Sequence, residues 1–191
     1  MRHFLFTAVV LGAAIITPAF AQDAKNPRVV METSAGKIVI ELYADKSPAT
    51  VKNFLQYVED KHYDGTIFHR VIADFMIQGG GFEPGLKEKK TRDPVKNEAG
   101  NGVKNERGTI AMARTPDPDS ATAQFFINTV DNERLDRANA SDKFGYAVFG
   151  KVVEGLDVVD RIRRVEIGIQ LGSKNVPTKD VLIKSVRVLK K

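Results

Sequence analysis

The densest run of chemically useful side chains is Phe68-His69-Arg70-Val71-Ile72-Ala73-Asp74-Phe75-Met76-Ile77-Gln78-Gly79-Gly80-Gly81-Phe82. It offers a permanent cation with several fixed donors at Arg70 and a carboxamide at Gln78. It also offers an imidazole at His69, whose charge can change near neutral pH. On spacing alone, Arg70, His69 and Gln78 read equally as surface polar groups, and Phe75 and Met76 as core. The three glycines at 79–81 invite a phosphate loop, but no Gly-Lys-Ser/Thr follows and no helix begins there. A hydrolase using Ser120 or Ser141 with His69 and an Asp lacks the Gly-x-Ser-x-Gly turn. The chain of 191 residues has no Cys, which excludes disulfides, thiolate nucleophiles, Cys-ligated zinc and iron–sulfur clusters. Its three histidines, His3, His62 and His69, leave little material for a His-based metal site.

These side chains need elements to hold them. Arg28–Thr33 and Lys37–Tyr43 are β-rich runs around Ser34-Ala35-Gly36, a hairpin signal, and Ile38, Ile40 and Leu42 fall on one strand face. Ser47-Pro48 opens a helix with an N-cap serine and a first-turn proline. Val51, Phe54, Leu55 and Val58 form its apolar stripe, and it should end near Lys61. Thr66–Ile72 and Phe75–Gln78 read as strands, as do Thr109–Ala113, Gln124–Asn128, Tyr146–Val152 and Val181–Leu189. Leu156–Ile162 suits a second, short helix, and the polar stretch 83–107 is too irregular for a single element. Many short strands with two helices point to an all-β barrel or sandwich.

Residues 1–21 have a short basic start, an apolar run from Phe4 to Thr17 and a small-x-small site at Ala19-Phe20-Ala21. That is the pattern of a secretory signal peptide cleaved after Ala21, and the apolar run is short for a spanning helix. The expected organisation is a signal peptide at 1–21, a short linker at 22–27 and one domain at 28–191, exported to a bacterial periplasm with no membrane anchor left after cleavage. The net charge is +5. Its basic clusters, Lys87–Lys90 and Lys190-Lys191, lack interleaved aromatics, so no nucleic-acid partner is expected.

The 68–82 segment closely resembles the signature of the cyclophilin family of peptidyl-prolyl cis–trans isomerases. Three more blocks agree in order: Asn105–Arg114, Ala123-Gln124-Phe125-Phe126-Ile127, and Tyr146-Ala147-Val148-Phe149-Gly150-Lys151-Val152. The resemblance spans nearly all of residues 28–190 and is nearest to the exported bacterial members. It implies a mainly β fold: a closed eight-stranded antiparallel barrel capped by two α-helices, with its groove on the outer wall. It implies rotation about X–Pro bonds in proline-containing polypeptides, aiding the folding of exported proteins, with no cofactor or metal, by a monomer. A proline-segment-binding chaperone module is the alternative.

By the same resemblance, Arg70 and Gln78 are the catalytic pair, with Arg70 donating toward the prolyl nitrogen and carbonyl and Gln78 orienting it. Phe75, Met76, Phe126 and Leu135 form the proline pocket. The Ala113-Arg114 backbone holds the residues before proline, Gln124 supports the same wall, and His69 and Tyr146 line the rim. Several positions depart from the family's pattern. Ala73-Asp74 replaces a frequent Pro-Gly, Gly81 a frequent Asp, and Tyr146 a His common in eukaryotic members. Arg134 stands where eukaryotic members often carry Trp and bacterial ones often Phe. The expected consequence is weak binding of cyclosporin-type inhibitors.

Overall fold

The alternation in the first β-rich runs turns Val29 and Met31 inward against Ile38, Ile40 and Leu42, and all five are fully buried. The computed structural model describes residues 26–189. The signal peptide expected at 1–21, most of the 22–27 linker and the last two lysines lie outside the described residues. In chain order the regular elements are β1 (Arg28–Thr33), β2 (Gly36–Leu42), α1 (Pro48–Glu59), β3 (Thr66–Ile72), β4 (Met76–Gly79), β5 (Phe82–Glu83) and β6 (Lys87–Glu88). There follow β7 (Thr109–Met112), β8 (Phe125–Asn128), β9 (Val148–Glu154), α2 (Leu156–Ile162), β10 (Ile167–Gln170), β11 (Ser173–Pro177) and β12 (Leu182–Val188). Eight strands close in the order β1-β12-β3-β4-β8-β7-β9-β2, each pairing antiparallel. Of the two β architectures the strand pattern allowed, the chain adopts the barrel. Closure removes the free edges that an open sheet would have to protect.

Aromatic side chains occupy the interior. Phe54 of α1 meets Tyr63, Phe149 and Phe125 at ring-centroid distances of 5.0, 5.2 and 6.0 Å. Phe68 adds an edge-on contact with Phe125. The Tyr63 hydroxyl donates to the Ala123 carbonyl (3.0 Å), which satisfies the one polar atom in this aromatic plug. Gly80, at φ +88°, lies where a Cβ would stand 2.9 Å from both Phe125 and Tyr63. The glycine run at 79–81 is therefore a close approach to the core, not a phosphate cradle.

The helices sit at opposite ends of β2. A Cβ at Gly36, the first residue of β2, would lie 2.9 Å from Val158 of α2, whereas α1 begins just beyond the Leu42 end. Ser47 precedes α1 as the sequence predicts, but its hydroxyl does not cap the helix. It donates instead to the Val148 carbonyl (2.8 Å). The free amides of Ala49 and Thr50 donate to the Glu98 carboxylate at 3.1 and 2.8 Å. A carboxylate at a helix N-terminus contributes on the order of 1 kcal/mol, and this one also pins the long 83–107 connection to the barrel.

Some boundaries differ from the sequence reading. The helix expected over 47–61 runs from Pro48 to Glu59, and the strand expected from Tyr146 joins the ladder only at Val148. The Tyr146 amide is already donated to the Leu135 carbonyl (2.9 Å). The stretch expected to be irregular over 83–107 contains most of a short two-stranded ribbon, β5–β6, which starts at Phe82, and a 3-10 turn at Ala99–Asn101. The β10–β11 hairpin was not anticipated. Leu171 and Gly172 make its turn with φ of +47° and +82°, and Ile169 and Leu171 project outward at 72% and 81% exposure.

Candidate active site

The register of five consecutive barrel strands builds the site. Arg70 pairs with Gln78, Gln78 with Phe126, Phe126 with Ala111, and Ala111 with Val148. This row lies on the outer wall. The neighbouring row, Val71, Ile77, Ile127 and Ile110, points into the barrel and is fully buried. Strict alternation along β3 would put Phe68 and Arg70 on the same face. The ladder instead pairs Phe68 with Gly79 and Arg70 with Gln78, so His69 is the extra residue of a β-bulge. The bulge lets Phe68 fill the core while Arg70 faces out.

Arg70 is held from one side. Its Nη1 donates to Gln78 Oε1 (3.3 Å), and Gln78 Nε2 donates to Gln124 Oε1 (2.9 Å). Gln124 thereby fixes which end of the Gln78 amide faces the guanidinium. A Cβ at Gly81 would stand 2.5 Å from Gln124 Cγ, so only glycine leaves Gln124 where it is. Beside this chain lies an apolar patch separate from the barrel interior: Met76, Ala111, Phe126, Leu135 and Val148, with Phe75, Ala113 and Tyr146 packed around them. Phe126 meets Tyr146 edge-on at 5.8 Å. The sequence-derived Arg70, Gln78, Gln124, Phe75, Met76, Phe126, Leu135, Ala113 and Tyr146 thus form one continuous surface.

Arg114 flanks it with its side chain turned inward, 3% exposed. Nε and Nη2 donate to the Gly145 carbonyl (3.2 and 3.0 Å), Nη2 pairs with Asp142, and the guanidinium lies 4.4 Å over the Tyr146 ring. The Arg114 hydrogen bond, with the amides of Gly145 and Phe144, holds the Asp142 carboxyl down at about 2. The 142–146 loop is therefore fastened to the end of β7.

Sequence reasoning missed the polar network beneath this surface. Asn132 Nδ2 donates to the Phe75 carbonyl and to Asn128 Oδ1, both at 2.7 Å. Asn128 Nδ2 donates to Asn105 Oδ1 (3.2 Å) and Thr109 Oγ1 (2.9 Å). Asn105 Nδ2 donates onward to Asp136 Oδ1 (3.1 Å) and the Tyr146 carbonyl (3.3 Å). All three asparagines are buried, so the chain of amides ties the Phe75 turn to the Leu135 and Tyr146 segments. Its one sequence signal is a polar side chain, Asn128, ending an otherwise apolar strand.

His69, next to Arg70 on β3, is not part of that apolar patch. Its ring packs edge-on against Phe82 at 4.6 Å, and Nδ1 is buried without a partner. Ser120 is occupied within its own turn, donating to the Asp117 carbonyl (2.7 Å), and Ser141 is exposed. No hydrogen bond joins either serine to His69 among the described residues, so the hydrolase arrangement is not assembled. No cluster of three His, Asp or Glu side chains that would hold a metal is found among the described residues.

Comparisons with known proteins place the chain in a family. Residues 28–188 match the family described as cyclophilin type peptidyl-prolyl cis-trans isomerase/CLD. The chain belongs to the cyclophilin family. It is 57% identical over 161 residues to peptidyl-prolyl cis-trans isomerase B of Escherichia coli (strain K12), covering 84% of this chain and 98% of that protein. It is 51% identical over 190 residues to peptidyl-prolyl cis-trans isomerase A of Dickeya dadantii (strain 3937), covering 100% and 98%. A Cryptosporidium parvum cyclophilin solved in the presence of the dipeptide Ala-Pro superposes with a TM-score of 0.74 at 25% identity, covering 86% of this chain and 99% of that one. The protein is a cyclophilin-type peptidyl-prolyl cis–trans isomerase, and the barrel and its two helices are those the resemblance implied.

In this cyclophilin, burial first and the Arg70 guanidinium second hold the His69 pKa down at about 4. In the unfolded chain an imidazole titrates near 6.5. Below that pH the unfolded chain binds a proton that the folded chain refuses. The contribution of neutral His69 is therefore complete above pH 6.5 and is lost as the pH falls toward 4. Denaturant titrations at pH 7 and pH 4.5 should show a smaller acid loss in His69→Gln than in the wild type, by about 2–3 kcal/mol. Equal losses in the two proteins would rule this out.

Proposed function

We propose that isomerisation occurs on the outer row centred on Arg70. The amide barrier is ~18–20 kcal/mol, while cis and trans X–Pro differ by only ~0.5–1 kcal/mol. The catalyst has therefore only to bind the twisted amide better than either planar form. In the twisted state the prolyl nitrogen gains a localised lone pair. Arg70 donates to it and to the prolyl carbonyl, as an always-protonated guanidinium with fixed donors can. Gln78 orients Arg70 and is itself oriented by Gln124. Met76, Phe126, Leu135 and Phe75 take the proline ring. The Ala113-Arg114 backbone pairs with the residues before proline, while His69 and Tyr146 flank the groove. The observation that carries this reading is the hydrogen-bonded chain Gln124–Gln78–Arg70 ending beside an apolar patch that the barrel core does not use.

We also propose that the protein acts as an exported monomer on unfolded clients. The sequence pattern of residues 1–21 supports export, and mature protein recovered from the periplasm should begin at Gln22 by mass spectrometry. An N-terminus at Met1 would refute cleavage. Cyclosporin-type inhibitors should bind weakly, because Arg134 stands where an aromatic wall is common in the family. A nanomolar inhibition constant would contradict that.

The central test is protease-coupled isomerisation of a proline tetrapeptide by residues 22–191. Arg70→Ala should lower kcat/KM by about 100-fold or more, as expected for removing a transition-state donor, with thermal stability nearly unchanged. If Arg70→Ala supports client folding as well as wild type while lacking isomerase activity, the groove serves as a binding module. Wild-type activity at background would reject the assignment of catalysis to this groove.

A further inference from the structure

Phe75 carries two guanidinium groups. Arg134 lies 4.6 Å over its ring and Arg70 6.0 Å from the same centroid. Neither has an acidic partner within ion-pair distance among the described residues, although acids are close at hand. Asp74 pairs with Arg163, Asp142 with Arg114, and Asp136 accepts from Asn105. Glu133, the neighbour of Arg134 on the same 3-10 turn, forms no ion pair with it. The candidate groove therefore presents two cations on one aromatic ring, with Asp74, Asp136 and Asp142 engaged by other groups and no carboxylate paired with either guanidinium among the described residues.

We propose that Arg134 is a specificity-determining residue that makes this groove favour an acidic side chain immediately after the substrate proline. The inference rests on the reading that Arg70 anchors the prolyl carbonyl. From that anchor the chain leaves across Phe75, because the residues before proline occupy the Ala113-Arg114 side. A Glu or Asp at the next position then meets Arg134, which is held by its stack on Phe75, with Arg70 adding to the field. Its contact with the Phe75 ring keeps the Arg134 guanidinium at that wall, which lowers the ordering cost of meeting a carboxylate there.

The experiment is an NMR exchange measurement of kcat/KM on three proline peptides that differ only after proline, with Glu, Gln or Lys. Wild type should turn over the Glu peptide about three- to fivefold better than the Gln peptide, and the Lys peptide less well than Gln. The Glu/Gln ratio should fall toward one in 0.5 M salt, where charges this exposed are screened. Arg134→Gln should bring the ratio below two, and Arg134→Lys should keep it above two. Arg28→Gln, a charge removed from β1 on the far side of the barrel, should leave it as in wild type. A wild-type ratio below two overturns the proposal, and so does a ratio that persists in Arg134→Gln or in high salt. Equal loss in Arg134→Gln and Arg134→Lys also overturns it. The underlying reading fails differently: the wild type would then not accelerate even the Gln peptide.

Discussion

The interior of this closed eight-stranded barrel is taken up by its own side chains, and the placement of the candidate site depends on that. Phe54, Tyr63, Phe68, Phe125 and Phe149 fill the interior. A ligand surface has to be made on the outside, from residues that alternate with the core. It has to stay outside along five strands, which requires the registers of β3, β4, β8, β7 and β9 to agree. The bulge at His69 is the local adjustment that makes them agree. It absorbs one residue so that Phe68 and Val71 both face inward and Arg70 joins the row of Gln78, Phe126 and Ala111.

The segments around the candidate groove are tied together from beneath. A buried amide costs several kcal/mol if left unpaired, so three buried asparagines persist only because they satisfy one another and the backbone. In doing so they join Phe75, Asp136 and Tyr146, which come from three separate segments. Arg114 does the same on the other flank by anchoring the Gly145 carbonyl and Asp142. Catalysis of a bond rotation needs this kind of support. No bond is made or broken, so the rate gain has to come from donors and walls already in place when the amide twists.

Electrostatics around the groove are uneven. Asp74, Asp136 and Asp142 are engaged, whereas Arg70 and Arg134 share Phe75 without a counter-charge among the described residues. His69, next to Arg70, is kept neutral by burial and by that cation. The positive character of the site therefore comes from guanidinium groups, which do not titrate in the physiological range.

Much of the fold was legible because short strands with β-branched and aromatic alternation, punctuated by glycine and proline, leave few architectures. The ordered blocks around Arg70, Met112, Phe126 and Phe149 carried the family resemblance and, through it, the candidate residues that the structure brings onto one face. Local pattern also located both helices to within a few residues. What it did not carry depends on contacts between distant segments. It offered a barrel or a sandwich without deciding between them, because alternation is the same in both. It assigned the cap of α1 to Ser47, but the cap comes from Glu98, some fifty residues away in sequence. It gives no strand signal around Ile167, Ile169 and Leu171, which lie in the β10–β11 hairpin and form an exposed apolar edge. By itself the sequence determined which residue types were available: an arginine, two glutamines and an apolar set, with no thiol. Only the tertiary structure decided that they meet, because their meeting depends on cross-strand register, and register is a property of the closed ring and its bulge rather than of any one strand.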